Sequence, residues 1–187
     1  MSKKESLSVV PKSERRTWII EQLLSAIKSD EIFHTLDYRN KTEAYIKQYM
    51  HQILKRCLLE IHRRISPGQK EDTLKRKASD SLMWEGDVNT TINHIRFLGV
   101  QHRPDFKVRV DGLNIAIEVK RGDSGAGIRE GIGQSLVYAA SEDFDFVVYL
   151  FIDISKDKKI LESLRRDRER AFVDSLWDKY NIRFDII

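Results

Sequence analysis

Residues 103–120 read Arg-Pro-Asp-Phe-Lys-Val-Arg-Val-Asp-Gly-Leu-Asn-Ile-Ala-Ile-Glu-Val-Lys, and this stretch decides the fold. Hydrophobic and polar residues alternate on both sides of Asp111-Gly112. The hydrophobic positions are Phe106, Val108 and Val110 before the pair, and Leu113, Ile115, Ile117 and Val119 after it. An Asp-Gly pair flanked by such alternation is a strong signal of a β-hairpin. The stretch therefore predicts two antiparallel strands joined by a tight turn.

The length of the turn determines which residues lie opposite one another. With a two-residue turn at Asp111 and Gly112, Asp105 lies opposite Glu118. Opposed residues have Cβ atoms about 4.5–5.5 Å apart, and like charges at that spacing are destabilising. A four-residue loop would instead place Asp105 opposite Lys120. Both registers keep the two carboxylates and the lysine on one face of the hairpin.

Two carboxylates and an ammonium group beside an apolar hairpin predict a site for a divalent cation. Hard cations such as Mg²⁺ take carboxylate oxygens and keep several waters. Such a cation can activate water and neutralise charge that develops on a phosphate, with a lysine beside it. The competing interpretation is a solvated sheet face on which Glu118 and Lys120 are an incidental pair. Pro104-Asp105, the turn and the alternation together favour the cation site.

These residues resemble the PD-(D/E)xK nuclease superfamily, which has the restriction-endonuclease-like fold. Pro104-Asp105 matches its first half-motif and Glu118-Val119-Lys120 its second. Gln134 and Tyr138 match the Gln-x-x-x-Tyr helix of several of its families. Within the superfamily the chain looks most like the nuclease domains of type I restriction motor subunits and Mrr-like enzymes. The resemblance covers residues 87–154, and more weakly residues 42–61.

The resemblance implies a Mg²⁺-dependent DNA endonuclease, with Mn²⁺ as a substitute, that hydrolyses phosphodiester bonds with metal-activated water. It implies that Asp105, Glu118 and the Val119 carbonyl hold the metal. Lys120 would activate the attacking water or stabilise charge on the phosphate. Gln134 and Tyr138 would assist.

Related nucleases often add a metal-linked glutamate from the first helix of the fold. Glu43 is the candidate for that role in this chain, and Glu85 is its rival. The alternative interpretation of Glu43 is that an acidic residue in a first helical turn is favourable with the helix dipole. His102 lies three residues before Asp105 and could reach the metal or a phosphate, but a hydrogen-bonding role in the loop is favoured. No second histidine at metal-ligand spacing supports a zinc site.

The composition indicates a globular protein rather than a disulfide scaffold or a membrane protein. The chain has 187 residues, of which 41% are hydrophobic and 33% charged, which predicts one domain over residues 41–187 with an N-terminal tail and helical extension over residues 1–40. A single cysteine excludes a disulfide framework and a multi-Cys zinc site and fits a reducing cytosol. No apolar run reaches the length of roughly 18 residues needed to span a membrane, and no signal peptide is expected. We therefore expect a cytoplasmic protein.

The distribution of charge and the spacing of apolar residues predict a basic N-terminal half and a series of helices and strands. The formal net charge is +4, and the basic surplus lies in residues 1–82, where it could steer DNA toward the site. Ordinary solvated helix faces explain the same surplus equally well. The periodicity predicts helices over residues 13–29, 42–65, 128–140 and 156–179, and strands over residues 90–98, 144–154 and 182–186. Residues 1–12 are expected to fray, residues 32–39 to form a loop or a short turn, and residues 66–88 a loop or a short exposed helix.

The helix over residues 128–140 has an apolar stripe that is expected to face the sheet. The stripe consists of Ile128, Ile132, Leu136 and Ala139, with Gln134 and Tyr138 partly exposed on its flank. The element order predicts an α/β fold with a mixed sheet flanked by helices. By resemblance this is the restriction-endonuclease-like fold with an extra N-terminal helix.

Two other functions compete with the nuclease. One is a nucleic-acid-binding module on the same fold that carries out no chemistry and binds with a steep salt dependence. The other is an interaction subunit of a DNA-processing complex, with the long helix over residues 42–65 forming a homodimer.

Overall fold

The computed structural model describes residues 11–30, 35, 37–88 and 90–187. Most of the expected frayed start and part of the loop expected over residues 32–39 lie outside this range. The helices of the described part are α1 (Lys12–Ser29), α2 (Glu43–Ile65), α3 (Glu71–Asp80), α4 (Gly125–Ala140), α5 (Lys159–Ser163) and α6 (Asp167–Tyr180). The strands are β1 (Leu82–Trp84), β2 (Ile95–Phe97), β3 (Val100–His102), β4 (Phe106–Val110), β5 (Leu113–Gly122), β6 (Phe146–Asp153) and β7 (Ile182–Ile186). None of the described helices is long and apolar enough to cross a bilayer.

The chain divides into two compact units. Of the described residues, the helical unit contains residues 11–30, 35 and Gln48–Leu82, and the sheet unit contains Asp37–Lys47 and Met83–Ile187. The first turn of α2 therefore belongs to the sheet unit. The domain boundary expected at residue 40 stays a prediction.

The helical unit consists of α1, most of α2, and α3. Its interior is formed by apolar residues at helical spacing, which are fully or almost fully buried: Ile19, Ile20, Leu23, Leu24, Ile27, Met50, Ile53, Leu54, Leu58 and Ile61. Polar contacts link the helices, since the Cys57 thiol lies 3.4 Å from the Gln22 carbonyl oxygen and Arg56 forms an ion pair with Asp30 at 2.7 Å. The amphipathic pattern thus accounts for this unit without reference to the sheet.

The sheet unit has an α/β architecture with a mixed five-stranded sheet flanked by helices. Its strand order is β1-β4-β5-β6-β7. Strands β4 and β5 are antiparallel, whereas β5, β6 and β7 run parallel to one another. Central strand β6 is buried almost throughout, as its apolar residues on both faces predict.

The hairpin of β4 and β5 has the two-residue turn, and the four-residue alternative is wrong. Phe106 pairs with Ile117, and Val110 pairs with Leu113. Asp111 and Gly112 have φ values of 53° and 80°, the left-handed conformation that both central positions of a type I′ turn require. Glycine adopts this conformation without the steric cost of a Cβ atom. The register that places Asp105 opposite Glu118 follows from this turn.

The face of the sheet covered by α4 and α6 has a continuous aromatic and aliphatic core. It contains Ala116, Tyr138, Phe144, Val147, Tyr149, Phe151, Leu176, Ile182, Phe184 and Ile186. Helix α4 lies very close to this face, because a Cβ atom on Gly131 would be only 2.2 Å from the Tyr149 ring. The glycine therefore sets the distance between α4 and the strand that bears Tyr149.

The face that α4 turns toward the sheet agrees with the expected stripe in part, since Ile128, Ile132 and Ala139 pack against the core. Gly131, Ser135 and Tyr138 are buried, whereas Leu136 is exposed. The centre of the contact is shifted from the apolar stripe because the small residues Gly131 and Ser135 allow close approach to the sheet. Tyr138, expected on a partly exposed flank, is consequently fully buried.

Two other regions differ from expectation before the hairpin. Residues 66–88 contain α3, which buries Leu74 and Ala78, and also strand β1 at the edge of the sheet. The strand expected over residues 90–98 is reduced to β2, which pairs with β3 in a separate two-stranded sheet. Leu98 and Gly99 have φ values of 48° and 79° and reverse the chain there, a second two-residue turn that the alternation pattern concealed.

The helix expected over residues 156–179 is broken. A 3-10 turn (Lys156–Lys158) precedes α5, and α6 begins only at Asp167. The buried Asp153 carboxylate accepts hydrogen bonds from the backbone N–H groups of Ile160 at 3.0 Å and Leu161 at 2.9 Å. These bonds satisfy the first donors of α5 and start a new helix at that point.

Candidate active site

Asp105 lies immediately before β4, with a side chain that is almost completely buried. Its Oδ2 accepts a hydrogen bond from the Val119 N–H at 2.7 Å. Its Oδ1 lies 2.5 Å from the Lys47 Nζ. The hairpin register brings Val119 beside Asp105, and the first turns of α2 supply Lys47. Both carboxylate oxygens therefore have a donor, one from the backbone and one from an ammonium group.

Glu118 lies in the middle of β5 on the face covered by α4, and it is only 2% exposed. Its Oε2 accepts a hydrogen bond from the Tyr138 hydroxyl at 3.2 Å. Its Oε1 lies 3.2 Å from the Lys120 Nζ. Lys120 is two residues along the strand and so lies on the same face.

The two carboxylates have pKa values far above the ordinary range. Burial raises the pKa of Asp105 to about 6, although the Lys47 ammonium acts in the opposite direction. Burial, and then the charge of Asp105, raise the pKa of Glu118 to about 7. Desolvation disfavours a charged carboxylate, and a like charge nearby disfavours it further. Both carboxylates are therefore less readily ionised than solvent-exposed ones, chiefly because they are buried.

Lys120 has a second carboxylate partner that the sequence did not indicate. Its Nζ lies 3.1 Å from Glu130 Oε1 on α4, as well as near Glu118. Burial acts to lower the pKa of Lys120, but the two carboxylates outweigh it and raise the pKa above its ordinary value. Lys120 is therefore a protonated ammonium group in this structure.

Glu43 is connected to the site at the start of α2. Its Oε1 lies 2.6 Å from the same Lys47 Nζ that contacts Asp105, and its Oε2 accepts the Arg121 N–H at 3.3 Å. The side chain of its rival Glu85 pairs with Arg103 on the surface. Glu85 contacts Asp105 through the backbone, with its N–H donating to the Asp105 carbonyl at 2.9 Å. Glu43 thus shares a charged partner with Asp105, whereas the side chain of Glu85 is directed to a surface arginine.

Tyr138 and Gln134 lie one helical turn apart on α4. The Tyr138 hydroxyl bonds to Glu118, as described above, and burial together with that carboxylate raises the pKa of the phenol. Oε1 of Gln134 is buried and accepts no hydrogen bond from the described residues. Buried polar atoms usually have partners, so an isolated acceptor of this kind indicates a position that another donor can fill.

The ligand set fits a cation that binds few protein groups. Within the part of the chain that the structure describes, no three His, Cys, Asp or Glu side chains are gathered into a metal-binding cluster. Mg²⁺ is commonly held by one or two carboxylates and completes its shell with waters. The buried Asp105 and Glu118 match that pattern, and they do not match a closed zinc site.

Two residues of the site, Lys47 and Glu130, were not predicted from the sequence. Lys47 lies four residues after Glu43, and such an acid–base pair on a helix is visible in the sequence, but its contact with Asp105 depends on tertiary structure. No sequence pattern indicates Glu130, because a glutamate on a helix has no regular spacing to a lysine ten residues earlier on a strand.

Searches of family models, curated proteins and solved structures returned no match to this chain.

Proposed function

We propose that the protein is a divalent-metal-dependent DNA endonuclease of the PD-(D/E)xK type. The observation that carries the proposal is the pair of buried carboxylates, Asp105 and Glu118, with the Lys120 ammonium 3.2 Å from the latter. Buried charges are costly unless they are paired or bind a metal. A site that keeps two such carboxylates together, with raised pKa values, is suited to binding a cation.

Asp105 and Glu118 would hold Mg²⁺ or Mn²⁺, with the Val119 carbonyl as a further ligand. Glu43 would join them only after a rearrangement, since no three such carboxylates are gathered among the described residues. A bound divalent cation lowers the pKa of water and neutralises charge on a phosphate. Tyr138 keeps Glu118 oriented through its hydroxyl hydrogen bond of 3.2 Å. The backbone N–H of Val119 does the same for Asp105 at 2.7 Å.

Lys120 would place its ammonium group against the attacking water or the non-bridging oxygens of the phosphate. The short tether between Lys120 and Glu118, two residues apart on one strand, fixes the ammonium close to the carboxylate. Because preorganised charge does not need to reorient during the reaction, it lowers the barrier more than a mobile group would. Gln134, with its unfilled acceptor, would take a hydrogen bond from the attacking water.

The fold and the charge support a nucleic-acid substrate. The antiparallel hairpin is followed by α4 and then by the parallel strand β6, and this order agrees with a restriction-endonuclease-like core. The chain has a sequence pI of about 9.1, which favours association with polyanions. DNA rather than RNA is proposed on the resemblance of the motifs.

The test is a cleavage assay with a covalently closed circular DNA, linear duplex, branched and single-stranded DNAs, and an RNA, each with Mg²⁺, with Mn²⁺ and with EDTA. Cleavage of the circle with either metal, abolished by EDTA, is expected of an endonuclease. D105A, E118A and K120A should each lower the rate by about 100-fold or more. The exposed residues Glu142 and Lys179 provide matched controls, since E142A and K179A should cleave like the wild type.

Cleavage that survives all three substitutions in folded protein would exclude this mechanism. Salt-sensitive binding of DNA without cleavage under any metal condition would instead indicate the catalytically silent module. Cleavage of RNA alone would retain the chemistry and correct the substrate.

A further inference from the structure

The Lys47 ammonium occupies a position between two acidic side chains of the candidate site. Its Nζ lies 2.6 Å from Glu43 Oε1 and 2.5 Å from Asp105 Oδ1, and the side chain is only 14% exposed. Glu43 precedes Lys47 by four residues on α2, the favourable order for an acid–base pair on a helix. The lysine is therefore presented to Asp105 by its own helix rather than by a mobile loop.

This ammonium contacts two of the carboxylates that would hold a divalent cation. Its Nζ is bonded to an oxygen of Glu43 and to an oxygen of Asp105, and a hard cation would take carboxylate oxygens of the same residues. The ammonium already bonds to Oδ1 of Asp105, and Oδ2 is engaged by the Val119 N–H. A carboxylate oxygen has a further lone pair, but a divalent cation on Asp105 would lie close to the ammonium charge, and repulsion between the two cations favours displacement of the ammonium.

We propose that Lys47 is an internal counter-ion, which holds Glu43 and Asp105 together in the metal-free protein and is displaced when a divalent cation binds. The inference rests on the proposed metal site, and it adds that metal binding is an exchange of one cation for another. The exchange weakens metal binding, because the ion must first break a buried charge-assisted contact. It also keeps the metal-free site ordered, because Asp105 is never left without a cation.

The experiment measures metal binding and thermal unfolding with Mg²⁺ and with Mn²⁺, at alkaline pH, for the wild type, K47M and K47R. Methionine keeps the length and apolar stem of lysine but removes the charge. In EDTA, K47M should melt at a lower temperature than the wild type. It should bind the metal about tenfold more tightly, since one charged hydrogen bond no longer competes, and its melting temperature should rise more on metal addition. K47R keeps the charge and should behave like the wild type.

A second measurement follows the wild type itself and needs a folded variant, K47R, only for assignment. Lysine ammonium signals are followed by NMR, with the Lys47 signal assigned by its absence in K47R. A signal for the paired Lys47 ammonium in EDTA should shift or disappear as Mg²⁺ saturates the protein. An unchanged signal at saturation would overturn the inference.

Failure of the inference can be separated from failure of the proposed function. In one outcome the metal stabilises the wild type, E118Q loses this effect, and K47M binds the metal as tightly as the wild type or more weakly. The proposed metal site is then supported and the displacement model is wrong. If neither metal stabilises the wild type or K47M, both the proposed metal site and the exchange are wrong.

Discussion

Replacing Glu118 by glutamine should remove a pH-dependent loss of stability from the metal-free protein. Burial and the neighbouring Asp105 raise the pKa of Glu118 from an ordinary 4.5 to about 7. Between those two values the folded protein binds more protons at this position than the unfolded chain does. Stability therefore falls as the pH rises, because a group with a raised folded pKa contributes fully only below its unfolded pKa.

The size of the effect follows from the same values. Each pKa unit corresponds to about 1.4 kcal/mol, so the contribution of Glu118 lost by about pH 8 is on the order of 3 kcal/mol. Asp105, whose pKa burial raises to about 6, deepens the fall over the lower part of this range. The two groups interact, so their contributions do not simply add. E118Q removes the first contribution and relieves Asp105 of a like charge.

The assay is urea unfolding in EDTA at several values between about pH 5 and about pH 8, the range in which these groups titrate. The free energy of unfolding should fall with pH in the wild type, and the slope should be much smaller in E118Q. The exposed Glu142→Gln substitution removes a carboxylate from solvent and should retain the wild-type slope. Equal slopes in the wild type and E118Q, or a wild-type stability that rises relative to E118Q, would refute the reasoning.

Two further predictions concern the scaffold of the site. Gly131→Ala should destabilise the protein by about 3 kcal/mol, since the added Cβ would lie 2.2 Å from the Tyr149 ring. As a control, the Cβ added by Gly133→Ala meets nothing within 4 Å, so this variant should be neutral or stabilising by up to about 1 kcal/mol. A thermal melt of both variants checks this, and equal effects would contradict the close packing of α4. Asp153→Ala should cost about 2 kcal/mol in urea unfolding, because the partly buried N–H groups of Ile160 and Leu161 lose their acceptor. Asp153→Asn keeps one acceptor oxygen and should cost less; a loss no smaller than that of alanine would argue against the capping role.

The hairpin and its buried face could be predicted from the sequence because the contributions to them are local. The Asp111-Gly112 pair indicates a turn, and the period-2 alternation on both sides determines which face is buried. The sequence left a two-residue and a four-residue turn open, and the structure decided between them by pairing Phe106 with Ile117. The helices α1 and α2 were equally readable, since their apolar stripes repeat at helical spacing.

Only the tertiary structure decided how the site is balanced electrically. Lys47 comes from α2, which is distant in sequence from the hairpin, and Glu130 comes from α4, which packs on the sheet. No local sequence pattern links either residue to the carboxylates on the strands. The burial of Tyr138 likewise depends on how closely α4 approaches the sheet at Gly131. Periodicity shows which side of an element is apolar, but it does not show which elements meet. Desolvation and long-range ion pairs exist only once those elements have packed together.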